Sequence, residues 1–96
     1  MLLVCSLSQA ATLEENLSCQ TRAAVISEAA SARDRNFPMS VFIQGQLQTR
    51  YAHADEDSIM DMKKLAEEAY TTFYDNSPGW LKYTYNRVCL RNLTRK

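Results

Sequence analysis

Two cysteines near opposite ends of the chain, Cys19 and Cys89, restrict its fold more than any other feature. The chain has 96 residues, and a domain of this size buries only about 60–65% of its extended surface, so a cross-link adds much to its stability. A bond between these cysteines would close a loop of about 70 residues and stabilise the fold by roughly 4 kcal/mol. We therefore predict one disulfide, which ties the first helix to the last. The alternative is a pair of buried thiols in a cytosolic protein.

The third cysteine, Cys5, belongs to an apolar run at the start of the chain. Residues 1–7 are mostly apolar, and the small-x-small triplet Ser8-Gln9-Ala10 follows them. This order is typical of a signal peptide, here truncated because no basic residues precede the run. We predict that residues 1–10 are such a leader and that residues 11–96 form a single helical domain in the periplasm or outside a bacterial cell. The alternative is the first turn of a cytosolic helix.

The composition favours an all-α fold. Hydrophobic residues make up 46% of the chain, which excludes a disordered tail, and the chain has only two Gly and two Pro, too few for a turn-dense β-sandwich. Ala, Leu, Glu, Gln, Arg and Met, which favour helices, are plentiful. We expect a compact bundle or orthogonal array of about four helices with one disulfide.

Apolar residues at helical spacing predict helices at about 13–33, 39–50, 57–74 and 78–92. The expected inward residues are Leu17, Cys19, Ala23, Ile26 and Ala30 in the first helix, Val41, Phe42, Ile43 and Leu47 in the second, Ile59, Met62, Leu65, Ala66, Ala69, Tyr70 and Phe73 in the third, and Trp80, Leu81, Tyr85, Val88 and Cys89 in the fourth.

Capping signals mark several helix ends. Thr12 and Glu15 have the spacing of a capping box at the first helix. Asn36 suits the left-handed conformation at its end. Ser77 is expected to cap the fourth helix, with Pro78 in its first position.

Charge is segregated along the chain, although the formal net charge is zero. Residues 51–79 contain seven acidic and two basic residues, whereas residues 80–96 contain five basic residues and no acidic one. One interpretation is that two antiparallel helices attract each other through these charges. The other is a dipolar surface that steers a charged partner. The zero net charge argues against a nucleic acid as partner, and no segment is long enough for stable membrane insertion.

The sequence contains no motif for catalysis, metal binding or cofactor binding. No nucleophile stands beside a base, no glycine-rich phosphate loop is present, and there is no Cys-x-x-Cys pair. The only histidine, His53, lies in a predicted linker. The acidic residues 55–61 lack the central glycine of a calcium loop. We therefore predict that the protein is not an enzyme and has no catalytic residues, metal or cofactor.

Aromatic residues near the predicted third turn supply the candidate binding site. Most are expected in the core, and one that remains exposed would be a natural anchor for a partner, because aromatics concentrate binding energy. With the neighbouring cations, the candidate partner-binding residues are Tyr74, Trp80, Lys82, Tyr83 and Arg87. The expected partner is another protein, and a homodimer is compatible with the same pattern.

The order Cys19, Arg33-Asp34, Tyr74 to Pro78 and Cys89 resembles small uncharacterised exported proteins of Gram-negative bacteria. In those proteins a leader precedes a helical domain of the form Cys…Arg-Asp-x-Gly…Tyr-x-x-Pro…Cys. This chain departs from the form at Asn36, where Gly is usual, and in its longer spacing before the proline. The resemblance covers most of the mature chain and implies the fold and the compartment, but no activity.

Three functional hypotheses follow from the sequence. The first is a non-enzymatic periplasmic protein-binding module, such as an inhibitor or immunity protein. The second is an acid- or stress-responsive periplasmic chaperone. The third is a cytosolic helical interaction domain with reduced thiols. Helical periplasmic immunity proteins and acid-stress chaperones are similar to this chain in size and disulfide use.

Overall fold

A computed structural model describes residues 12–94, which form four α-helices and no β-strand. They are α1 (Leu13–Asp34), α2 (Met39–Gln48), α3 (Glu56–Tyr70) and α4 (Pro78–Thr94). The predicted all-α fold of about four helices is confirmed. The predicted leader lies outside the described residues.

Side-chain caps begin three of the helices. Thr12 and Glu15 form the predicted capping box, in which the Glu15 amide donates to the Thr12 hydroxyl at 3.1 Å and the Thr12 amide donates to the Glu15 carboxylate at 2.9 Å. At α4 the Trp80 amide donates to the predicted cap, Ser77 Oγ, at 3.1 Å. At α3 the Asp55 carboxylate accepts from the Ser58 amide at 2.8 Å, which lowers the pKa of Asp55.

A left-handed residue ends α1, as predicted. Asn36 has φ 66° and is the only described residue with a positive φ. Its amide donates to the Arg33 carbonyl and the Phe37 amide donates to the Ala32 carbonyl, both at 2.9 Å. These are the two bonds of a Schellman motif, so the chain turns sharply into α2.

Two helices end earlier than the sequence predicts, and a threonine follows each end. Thr49 follows α2 and Thr71 follows α3, with φ −124° in both. Each hydroxyl donates at 2.7 Å to the carbonyl four residues before it, that of Gly45 or Glu67. Such a bond competes with the helical ladder and bends the chain away from it. In both cases the apolar pattern that predicted a longer helix continues into the turn that follows the helix.

The core lies around α1, which packs against α4 along most of its length, against α3, and to a smaller extent against α2. Small side chains let the helices approach closely. The buried core residues are Cys19, Ala23, Val25, Ile26, Ala29, Ala30, Ala32, Phe42, Met62, Leu65, Ala66, Ala69 and Leu81.

Four residues predicted to face inward are exposed instead. Leu17 and Val41 lie on helix faces that no described neighbour covers. Trp80 and Val88 are exposed on a side of α4 that lines a surface groove together with Arg22 of α1. Periodicity identifies an apolar stripe, but only the packing of neighbouring helices decides how wide the buried part is.

The predicted disulfide joins Cys19 to Cys89, whose Cα atoms are 5.7 Å apart. Cys19 is buried and Cys89 is half-buried, so the bond closes one end of the contact between α1 and α4. None of the described helices is both long enough and apolar enough to cross a membrane.

Candidate partner-binding surface

The five candidate residues lie on two sides of α4 and in the turn before it. Tyr74, Trp80 and Tyr83 are all exposed, with 60%, 46% and 65% of their surface accessible. Their rings do not form one cluster. The structure brings Lys82, Tyr83 and Arg87 together on one side of α4 and leaves the other two residues elsewhere.

Tyr74 belongs to a turn that a buried arginine holds in place. Arg33, only 7% exposed, lies beneath the Tyr74 ring, with the guanidinium carbon 5.6 Å from the ring centre. Its guanidinium donates to the carbonyls of Ala69, Phe73 and Asn76 at 2.8, 2.9 and 2.8 Å. It also pairs with Asp34 at 2.9 Å. These bonds fix the end of α3 and the following turn, so this arginine has a structural role.

Trp80 contributes to a groove on one side of α4. The groove has a volume of about 310 Å³, and half-buried Phe73 and Tyr85 form part of its wall together with Cys89 of the disulfide. The centroids of the Trp80 and Phe73 rings are 6.5 Å apart. Val88 adds a further exposed apolar side chain.

The hydroxyl of Tyr85 links α4 to α3 beside this groove. It donates to Glu68 Oε1 at 2.7 Å, and its ring meets Phe73 edge-on at a centroid distance of 5.9 Å. Burial raises the pKa of Tyr85 well above its ordinary value, and the hydrogen bond to the carboxylate raises it further.

We expect this tyrosine to make the fold sensitive to alkali. In the unfolded chain the Tyr85 hydroxyl ionises near pH 10, whereas in the folded protein it keeps its proton to a higher pH. The contribution of Tyr85 to the free energy of unfolding is therefore constant below pH 10 and is lost as the pH rises above it. Denaturant unfolding at pH 8 and pH 11 should show a smaller alkaline loss in Tyr85→Phe than in wild type. Tyr83→Phe, which changes an exposed tyrosine of the same helix, is the control. Equal losses in all three proteins would contradict the prediction.

A larger groove runs between α1 and α4 on the other side of α4. Its volume is about 880 Å³. Among the described residues, its walls contain small and apolar side chains, two amides and two cations, and no acidic side chain. They are Gln20, Ala23, Ala24, Gly79, Lys82, Tyr83, Asn86, Arg87 and Leu90.

The two cations of this groove are not neutralised by an acidic side chain within the described part of the chain. Lys82 and Arg87 form no ion pair there, and Arg87 stacks on the Tyr83 ring at 5.9 Å. Two ion pairs bind α1 to other neighbours, through Arg22 with Asp61 of α3 at 2.8 Å and through Glu28 with Arg50, which follows α2, at 2.9 Å. The attraction between α3 and α4 that the sequence suggested therefore does not engage these two cations.

The groove wall also contains an unsatisfied amide. Asn86 Oδ1 is buried and has no hydrogen-bond partner among the described residues. Because an unpaired buried acceptor is destabilising, we expect Asn86→Leu to raise the free energy of unfolding by about 1 kcal/mol. Urea denaturation would measure this, with Asn92→Leu, an exposed position on the same helix, as the control. A loss of stability in Asn86→Leu would contradict the prediction.

The groove was only partly predictable from the sequence. Lys82, Tyr83 and Arg87 stood out through charge and aromatic character, but Gln20, Asn86 and the alanines of α1 did not. The adjacent small residues Ala23 and Ala24 could have indicated a helix face that lies close to a neighbour. Their place in a groove depends on the antiparallel pairing of α1 with α4.

The described residues offer no cluster of His, Cys, Asp and Glu side chains that could hold a metal ion. Comparison of the chain with protein-family models, curated proteins and solved structures finds no significant match.

Proposed function

We propose that the protein is a non-enzymatic protein-binding module that acts in the periplasm or another oxidising space outside the bacterial cytoplasm. An inhibitor or immunity protein is the form of this function that we favour. The observation that carries the proposal is the groove between α1 and α4. Its wall contains exposed Tyr83 and the cations Lys82 and Arg87, which form no ion pair among residues 12–94. Aromatic anchors beside cations are the side chains that concentrate binding energy at protein interfaces.

The disulfide supports the compartment in this proposal. Cys19 and Cys89 lie at bonding distance across the α1–α4 contact. Such bonds persist in secreted and periplasmic proteins and are rare in the cytosol. Mass spectrometry of the native protein tests this step. Free thiols at both positions would favour the third hypothesis, a cytosolic interaction domain.

A photo-crosslinking residue at position 83 tests the binding function. In cells of the native host, we expect it to join the chain to one stoichiometric partner protein. Position 60 is the matched control, because Met60 on α3 is also exposed, at 62%, and does not line the groove. Tyr83→Ala should weaken capture of that partner by about tenfold or more, as for an interface anchor. Repeated recovery of no specific partner at position 83 would contradict the proposal.

An acid-responsive chaperone is the second candidate, because carboxylates join several helices. Asp61 and Glu28 pair with arginines between elements, and Asp55 caps α3. Acid that removes the carboxylate charges would abolish these interactions. The Asp55 cap acts in the same sense, because the pKa of Asp55 is lower in the folded protein than in the unfolded chain. The cap stabilises the fold at a pH above the ordinary pKa of Asp, and this stabilisation is lost as the pH falls through the lowered pKa. An unchanged circular dichroism spectrum and no ANS binding at pH 3 would exclude this candidate.

A further inference from the structure

We infer that the groove between α1 and α4 receives an acidic amphipathic helix of a partner protein. This inference rests on the proposed binding function and names the chemistry of the partner.

The walls of the groove favour a helix over an extended segment. Both walls are helices, whose backbone amides and carbonyls are paired within α1 (Leu13–Asp34) and α4 (Pro78–Thr94) except at the helix ends. An extended segment would find few backbone partners there, whereas a helix satisfies its own backbone. The groove follows α4 from Gly79 to Leu90, about 17 Å at the rise of a helix, which corresponds to a partner helix of about three turns.

The side chains of the groove favour an amphipathic and acidic partner. Ala23 is buried on the floor, Ala24 and Leu90 are half-buried, and the Tyr83 ring lies beside them, so one face of the partner meets mostly apolar surface. Lys82 and Arg87 have no acidic partner in the described chain, and no Asp or Glu lines the groove. Two carboxylates on the partner would complement these cations and exclude basic competitors.

Among its described residues, a second copy of this chain does not supply such a helix of three turns. The start of its α1 has exposed Leu13 and Leu17 beside Glu14 and Glu15, but this stretch spans less than two turns. Its acidic helix is α3, whose apolar residues Met62, Leu65 and Ala69 are fully buried in its own core. Only Met60 offers a large exposed apolar side chain on that helix. The two cations of the groove, which form no ion pair in the described chain, would also neutralise few phosphates of a nucleic acid. A flat membrane surface would not reach the buried floor at Ala23.

A displayed library of 14-residue helical peptides, selected on the disulfide-intact full chain, tests the inference. We expect the selected peptides to have one apolar face and at least two Asp or Glu residues. The double variant Lys82→Glu/Arg87→Glu should bind them about tenfold more weakly, and peptides whose acids are changed to lysine should regain binding to it. Lys63→Glu/Lys64→Glu makes the same charge change at exposed positions on α3 and should leave binding unchanged.

Two results would overturn the inference. One is a set of selected peptides without acidic residues, and the other is equal binding to both double variants. Circular dichroism of each variant shows whether it remains folded. The segment of the native partner that crosslinks at position 83 separates this inference from the proposed function. A captured partner joined through a segment that is not an acidic helix refutes the inference alone, whereas no captured partner refutes the proposed function.

Discussion

Loss of the disulfide is expected to lower the free energy of unfolding by about 4 kcal/mol, the chain-entropy value for a loop of this size. The bond joins residues separated by 70 positions, so its removal frees most of the unfolded chain. Small domains have a total stability of about 5–15 kcal/mol. The reduced protein should therefore be marginally stable or unfolded at 37 °C.

The packing of α4 makes this helix the part most affected by the loss. Leu81 is its only fully buried residue in the described chain, and it lies near the start of the helix. Beyond Tyr85, the half-buried Cys89 holds the helix to α1 through the bond. We expect hydrogen exchange after reduction to rise most from residue 86 onward, and the groove between α1 and α4 to lose its shape.

Urea denaturation measures the effect in two independent ways. One compares wild type with and without dithiothreitol, and the other compares wild type with Cys19→Ala/Cys89→Ser. The double variant with dithiothreitol is the control, because it has no such bond for the reductant to break, and its stability should not change on reduction. A change of less than about 1 kcal/mol in the double variant would show that the helices hold together without the bond, against the chain-entropy estimate.

Local signals in the sequence predicted the elements of the fold well. Thr12 and Ser77 cap helices through bonds to amides three residues ahead, and Asn36 takes a conformation open to few other residues. Each of these features depends on a few adjacent residues, so the sequence alone contains the information. The cysteine pair was predictable for a different reason, because two cysteines in a small exported domain are expected to form a disulfide with each other.

Features that depend on which helices are neighbours were not predictable in the same way. Leu17 and Val41 continue apolar stripes but remain exposed, because the fold places no described helix over them. The ends of α2 and α3 also differ, because Thr49 and Thr71 bond back to the preceding turn. The candidate site was predictable only in part for the same reason. Its residues on α4 were identified, but the α1 wall that makes them a groove follows only from tertiary packing.

Arg33 is a charged residue that belongs to a sequence pattern and has a structural role. In sequence it stands beside Asp34 in a pattern that resembles a group of exported proteins, and its charge is compatible with a role in binding. In the structure its guanidinium is buried and donates to three backbone carbonyls between Ala69 and Asn76. A planar guanidinium can serve several acceptors at once, whereas the compact ammonium of lysine presents a single point of charge.

Replacing Arg33 with methionine is therefore expected to lower the free energy of unfolding by about 3 kcal/mol. Methionine fills much of the same space but leaves the Ala69 carbonyl buried without a donor, and the turn that carries Tyr74 loses its anchor. Arg33→Lys should recover only part of the loss, because one ammonium cannot reach all three carbonyls. Arg35→Met is the matched control, since Arg35 is exposed and stacks only on Phe37 at 5.0 Å, and its change should stay within about 0.5 kcal/mol. Urea denaturation of the three variants measures the difference, and equal stability of Arg33→Met and Arg35→Met would show that the buried guanidinium does not hold the turn.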